Sequence, residues 1–433
     1  MSYRACVLLI ALGSVSVAPQ AGWAQGHTLH GVGPVNSSMG GAGVALLNES
    51  IGALTVNPAL IADVSGNQIS FATEFFKDGL RVESRVGSLR GSTDPTLQTG
   101  VIPAFGWIMR KPDGKLAIGF GLLGVAGFRT DYPQDSSNIL LLPQPAGFGR
   151  IYTDYTLTKI PVAFAYQATP KLAVGGSLNL YRGTLAIMPL PVVAPDPSPS
   201  GTTFLPAAGN VVARFGASAQ FGFLYKASDM VSVGASYNTY QKFEEYRWNS
   251  IVVNPETPAY GTHRQLNFRF DGPGTLTFGV GLKPNPKTMV ALDGQWMKFD
   301  NVEGLGGPGG VDVVNHRLVG IGWRNIWTFK AGVQYQATEK LVVRGGYNHS
   351  QTPIRSEIAE TSMGTPATFQ KHFTGGLGMQ VFPKITADLG FYIVPREHVR
   401  GPLLSLQTGV VPDSEIDMSN SIKSVQIAFN FRF

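Results

Sequence analysis

Asn348-His349-Ser350 sets a histidine beside a serine, and His372 and Asp388 follow, the residue types of a nucleophilic hydrolase. The surrounding residues alternate as a strand does, so His349 and Ser350 point to opposite faces and cannot serve one site. A hydrolase is therefore only a minor alternative. His27 and His30 could ligate a metal, but in a flexible stretch near the start of the chain they read as solvated histidines. Gly40-Gly41-Ala42-Gly43 lacks the strand before it and the lysine after it that a phosphate loop needs. No enzyme activity and no cofactor is called for.

The elements that could position such residues begin with Gly31 to Ala59, a stretch of small residues ending in Asn57-Pro58-Ala59. It is too rich in glycine for one continuous helix and too broken for a strand. Asn57-Pro58 initiates a turn, and strand-like segments follow to the last residue. The segment at residues 25–66 reads as a plug, or hatch, around which residues 67–433 close. Only 14% of the chain is charged and 53 residues are glycine, which favours strands and tight turns over helices.

Residues 1–24 read as a secretory signal, with Arg4 at the start, an apolar core from Val7 to Leu12 and Gly22-Trp23-Ala24 before the cut. The core is too short for a membrane anchor. The single cysteine, Cys6, leaves with it, so no disulfide or cysteine metal site remains. Removing Arg4 takes the net charge from +6 to +5, without a Lys/Arg cluster, which argues against nucleic acid as a partner. No later stretch supplies the apolar run of a membrane helix.

Strand periodicity is clearest in Ser424–Phe433, where Val425, Ile427, Phe429, Phe431 and Phe433 alternate with Gln426, Asn430 and Arg432. Lys384–Ile393 and Trp327–Tyr335 repeat the pattern. Short turns at 111–114, 169–170, 227–229, 284–286, 338–339 and 383–384 alternate with long stretches near 78–98, 130–150, 186–209, 249–263, 301–323, 352–368 and 399–420. Six turns and seven loops join 14 strands. That even count, with short turns on one side and long loops on the other, predicts an all-β, 14-stranded antiparallel transmembrane β-barrel in the outer membrane of a Gram-negative bacterium. The terminal Phe433 resembles the signal read by the barrel-assembly machinery. Outer-membrane lipid and a small hydrophobic ligand are the other expected partners.

One strand departs from its period. Ile118, Phe120 and Leu122 hold one face, then Leu123 and Val125 take the other, amid Gly119, Gly121, Gly124 and Gly127. A slip at Leu122-Leu123 predicts a bulge or kink in the third strand.

The chain resembles the FadL/TodX family of outer-membrane transporters for long-chain fatty acids and other hydrophobic compounds. The likeness rests on Ser50-Ile51-Gly52-Ala53 leading to Asn57-Pro58-Ala59, on Gln295-Trp296-Met297-Lys298-Phe299, and on Trp323-Arg324-Asn325-Ile326-Trp327 through Arg344-Gly345-Gly346-Tyr347 to Gln351-Thr352-Pro353. The resemblance implies capture of ligand in the outer loops, an apolar lumen pocket, a hatch, and lateral exit at a kinked third strand, here Gly119 and Gly121–Gly124. It also implies basic residues that clamp a carboxylate. The stretch Leu185-Ala186-Ile187-Met188-Pro189-Leu190 has none; Arg182 and Arg317 are the nearest candidates, with Met188 in the apolar wall. Such a substitution favours an uncharged or aromatic ligand. A general diffusion porin is the remaining alternative, and it would lack the plug.

Overall fold

The computed structural model describes residues 26–433 apart from 47–48, 97–98, 112–113, 197–198 and 203; the signal-peptide reading lies outside the described residues. Fourteen strands form one antiparallel barrel: β1 Gln68–Asp78, β2 Thr99–Arg110, β3 Leu116–Tyr132, β4 Ile151–Gln167, β5 Leu172–Met188, β6 Ala208–Lys226, β7 Val231–Asn238, β8 Gly274–Asn285, β9 Thr288–Lys298, β10 Ile326–Gln336, β11 Leu341–Ser350, β12 Lys371–Phe382, β13 Ile385–Gly401 and β14 Ser414–Arg432. Pairing of β1 with β14, from Gln68↔Arg432 to Asp78↔Ile422, closes it. Closure leaves no free edge, the only way a sheet can stand in hydrocarbon. No described helix is long and apolar enough to cross a membrane.

Turns and long loops fall close to where the sequence puts them. The 78–98 stretch, however, forms a hairpin, Arg81–Val86 against Leu89–Thr93, that pairs with β14, and β14 itself begins at Ser414, inside the expected 399–420 loop. β7 ends at Asn238, well before the expected loop at 249–263. The chain instead forms a separate hairpin, Tyr246–Ile251 against His263–Phe268. Its Tyr246, Trp248 and Leu266 are buried with Phe243 and Phe270, so burial of apolar side chains draws it over the barrel mouth.

On β14, Val425, Ile427 and Phe429 are exposed while Gln426 and Asn430 are buried, so the predicted faces hold there. Near the inner mouth the contrast fades: Phe431 is half-buried and Arg432 exposed.

The segment ahead of β1 lies inside the barrel as three short helical pieces. Gly33–Ser38 has Pro34 in its first turn. Ser50–Val56 is capped by the Glu49 carboxylate, which accepts from Gly52 N at 2.6 Å and Ile51 N at 2.8 Å. Pro58–Ala62 follows, with Asn57 as its cap, accepting from Ala59 N. Asn57 is fully buried and its Nδ2 donates to Val44 O at 2.8 Å and Phe223 O at 3.0 Å, fastening the turn to both hatch and wall. Asp293 on β9 accepts from Gly43 N and Val44 N in the same way.

Glycines on the inner face let the hatch approach the wall. A Cβ at Gly119 would lie 2.6 Å from Leu54, at Gly175 2.5 Å from Ala59 N, and at Gly106 3.1 Å from Ser50 and Ile51. Gly222, Gly332 and Gly376 meet Asn57, Met39 and Ser38 in turn. The glycine excess is thus a docking belt for the hatch, spread around the barrel.

Two tests follow. With Ile427→Cys and Asn430→Cys, a membrane-soluble thiol reagent should mark only position 427; equal labelling would reverse the register. Asn57→Ala removes the side-chain donor to the buried Val44 carbonyl and to Phe223 O, at a cost of about 1–3 kcal/mol. The barrel should keep its heat-dependent gel shift, while passage of small solutes rises; unchanged permeability would mean that Asn57 does not hold the hatch.

Candidate functional site: an outer pocket, a lumen cavity and a break in the wall

β2 and β3 are paired only from Arg110↔Ala117 up to Ala104↔Leu123. Beyond that point β2 continues beside β1, and residues 124–132 of β3 continue beside β4 alone. One extra residue, Val125, enters between Gly124↔Thr158 and Ala126↔Leu157. The expected slip at Leu122-Leu123 is corrected here. Side chains alternate without interruption through Leu122, exposed at 47%, and Leu123, fully buried. The apolar residues change faces because the upper half of β3 borders the hatch, and the bulge lies two residues later.

The vacated edge of β3 is taken by the chain's own N-terminal residues. Leu29 N donates to Val125 O at 3.0 Å and Gly127 N to His27 O at 3.4 Å, with Thr28 bridged to Ala126. Pro103, where β2 separates, carries no N–H that needs an acceptor. Outside, Val101 and Phe75 beside the break are at least half exposed, so it lies within the apolar band. Of the five residues expected at the gate, Leu122, Leu123 and Gly124 border the break. A Cβ on Gly124 would overlap Ile102 across it. Gly119 faces Leu54 of the hatch, and Gly121 pairs with Gly106 below the break.

Residues 27–30 also divide two spaces. On the lumen side lies a cavity of about 110 Å³ that includes Leu29, His30, Val125, Tyr181, Lys159 and Lys330 in its lining. Lys159 Nζ donates to Gln220 Oε1 at 2.7 Å and Leu54 O at 3.3 Å, and Lys330 Nζ to His30 O at 3.4 Å. On the wall side a cavity of about 60 Å³ is bounded by His27, Leu29, Phe76, Ile102, Phe128 and His372. His27 and His30 are therefore not solvated as expected. His27 stacks on Phe128 at 3.7 Å, and His30 is buried with its Nε2 3.0 Å from Ser37 Oγ. Among the described residues no group of three His, Cys, Asp or Glu could hold a metal ion.

Under the outer loops a third pocket, about 60 Å³, is walled by Phe148, Ile151, Leu185, Leu190, Leu318 and Met363, among others. An aromatic series, Phe270–Tyr155–Phe128–His27, leads from it toward the N-terminal segment with centroid spacings of 5.0, 5.5 and 3.7 Å. Trp323 and Phe299 stand beside it, 5.2 Å apart, and both come from the stretches that carry the family resemblance.

The basic candidates are placed elsewhere. Arg182 points outward from β5 because its neighbour Tyr181 points in. Arg317 pairs with Asp312 at 3.6 Å on an exposed hairpin, and it is Leu318 that enters the pocket. Met188 flanks the pocket between Ile187 and Pro189, which line it. Sequence reading missed Glu360, the pocket's one ionisable side chain among the described residues, because it sits in a loop without period. It also missed Lys159 and Lys330, buried only because the hatch covers them. The hydrolase residues do not assemble: His349 is turned away from the buried Ser350, which is 2.7 Å from Thr328 Oγ1, and Asp388 is paired with Arg344 at 2.6 Å.

A closed 14-strand barrel, filled by its own N-terminal segment and apolar on its outer surface, is an outer-membrane transport protein. The chain belongs to the family described as "Outer membrane protein transport protein (OMPP1/FadL/TodX)", which it matches over residues 14–433. Among solved structures, the toluene transporter TodX of P. putida is similar at 20% identity and TM-score 0.68, covering 94% of this chain and 100% of that one. The toluene transporter TbuX of Ralstonia pickettii is similar at 20% and 0.64, with 94% and 99% covered. A FadL homologue of Pseudomonas aeruginosa is similar at 12% and 0.69, with 94% and 100% covered. A search of curated protein sequences found no match.

Burial raises the Glu360 carboxyl from its ordinary 4.5 to about 8, against the pull of the Leu404 N–H. Its protonated form is the one the fold prefers. The loop is therefore fully stabilised below the ordinary value and loses stability as pH climbs toward 8. Protease cleavage within 350–370 should increase between about pH 5 and 8 in the wild type and stay flat in Glu360→Gln. A pH-independent wild type would contradict this.

Proposed function

We propose that this chain carries small hydrophobic molecules inward across the outer membrane. Ligand enters the pocket under the long loops, where apolar burial returns roughly 25 cal/mol per Å² removed from water. It follows the aromatic series to residues 27–30 and leaves sideways through the break between β2 and β3 when that segment shifts. No energy source is required beyond removal of ligand downstream. The observation that supports this reading is that residues 27–29, rather than β2, pair with the upper part of β3, through two backbone hydrogen bonds. In hydrocarbon, bare backbone groups cost about 2–7 kcal/mol each, so an unsealed break would not persist. A seal of two hydrogen bonds is small enough to open transiently, with water from the lumen taking up the freed groups while ligand passes. A diffusion porin is disfavoured because the hatch fills the lumen.

A Thr28→Cys/Ala126→Cys pair tests this directly, because bridged neighbours lie within disulfide reach. Oxidation should leave ligand binding intact and cut uptake of a hydrophobic probe such as toluene about tenfold or more, with recovery on reduction. Full uptake by the locked protein would place the exit elsewhere.

A further inference from the structure

The outer pocket holds one ionisable side chain among the described residues, and it is an acid. Glu360 is 6% exposed, and its Oε2 accepts from Leu404 N at 2.7 Å. Thr361 beside it is occupied, donating to Ile321 O and Ile358 O at 2.7 and 2.8 Å. Thr365, one turn further and 5% exposed, has a buried hydroxyl without a hydrogen-bond partner. The rest of the wall is dominated by apolar side chains, and no lysine, arginine or histidine lines it. Arg355, on the same segment, is turned away toward Pro308 O and Glu357.

We infer that Glu360 and Thr365 make this pocket selective for neutral ligands bearing a hydroxyl, of the phenol or alkanol kind, and set it against carboxylates. This deepens the transport reading and rests on the pocket being the first site of the cargo. A ligand hydroxyl can donate to the Glu360 carboxyl and accept from the Thr365 hydroxyl, so both polar groups gain partners while the remainder of the ligand meets apolar wall. A hydrocarbon of the same size fills the wall but leaves Thr365 unpartnered. A carboxylate brings a charge into an apolar pocket where, among the described residues, no cation compensates it, and beside an acid that adds a second negative charge once ionised.

Toluene, p-cresol and p-toluate share one ring and differ in one substituent, and their binding to the purified protein in detergent can be compared by calorimetry. Wild type should bind p-cresol about tenfold tighter than toluene, with p-toluate weakest. At about pH 9, where the Glu360 carboxyl is ionised, Glu360→Gln, which keeps the acceptor for Leu404 N, should tighten p-toluate about tenfold and leave p-cresol little changed. Glu360→Leu/Thr365→Val should bind p-cresol no better than toluene. The heat-dependent gel shift verifies that each barrel is folded. An unchanged ranking in folded variants, or p-toluate binding as tightly as p-cresol to wild type, would overturn the inference while leaving transport standing. If none of the three binds wild type, the reading of the pocket as the cargo's first site falls, and this inference falls with it.

Discussion

A polypeptide in hydrocarbon must satisfy its backbone N–H and C=O groups, and this constraint shapes the whole molecule. Most strand junctions meet it along the ladder from strand to strand. The β2–β3 junction meets it only as far as Leu123. Above that residue, β3 is completed from inside by residues 27–29, a piece of the same chain arriving from the lumen. The seal is therefore part of the hatch, and whatever moves the hatch's leading segment also alters the wall.

That coupling needs a hatch held firmly at one end and lightly at the other. The firm end is visible in Asn57, Asp293 and the inner-face glycines, where a buried amide and a carboxylate bind the hatch backbone to the wall and a Cβ would crowd the hatch. The light end is the stretch from His27 to Leu29, with a stacked imidazole and two backbone bonds. Cavities lie on both sides of it, so space for its displacement already exists.

The strand count, the turn positions and the outward face of β14 were legible in the sequence because each depends on local period or on glycine and proline chemistry. The hatch was legible from its small residues and Asn57-Pro58-Ala59. Residues whose role comes from distant partners were not. Lys159 and Lys330 look like ordinary lumen charges until the hatch covers them. Glu360 has no periodic context, and Arg182 drew notice as a base although β5 turns it outward. The third strand is the instructive case. Leu122-Leu123 marked the right region for a different reason, since hydrophobicity changed face where the strand's surroundings changed and the bulge came two residues later.

The claim on which the rest depends is that residues 27–29 leave β3 when ligand passes. Hydrogen exchange of the intact protein in lipid nanodiscs, followed by mass spectrometry for peptides covering 26–31 and 124–128, measures that pairing directly. Protection in both peptides should be present without ligand and fall together when toluene is added. Protection that is unchanged or strengthened by toluene in both peptides would show that the N-terminal segment is a fixed part of the wall and no gate.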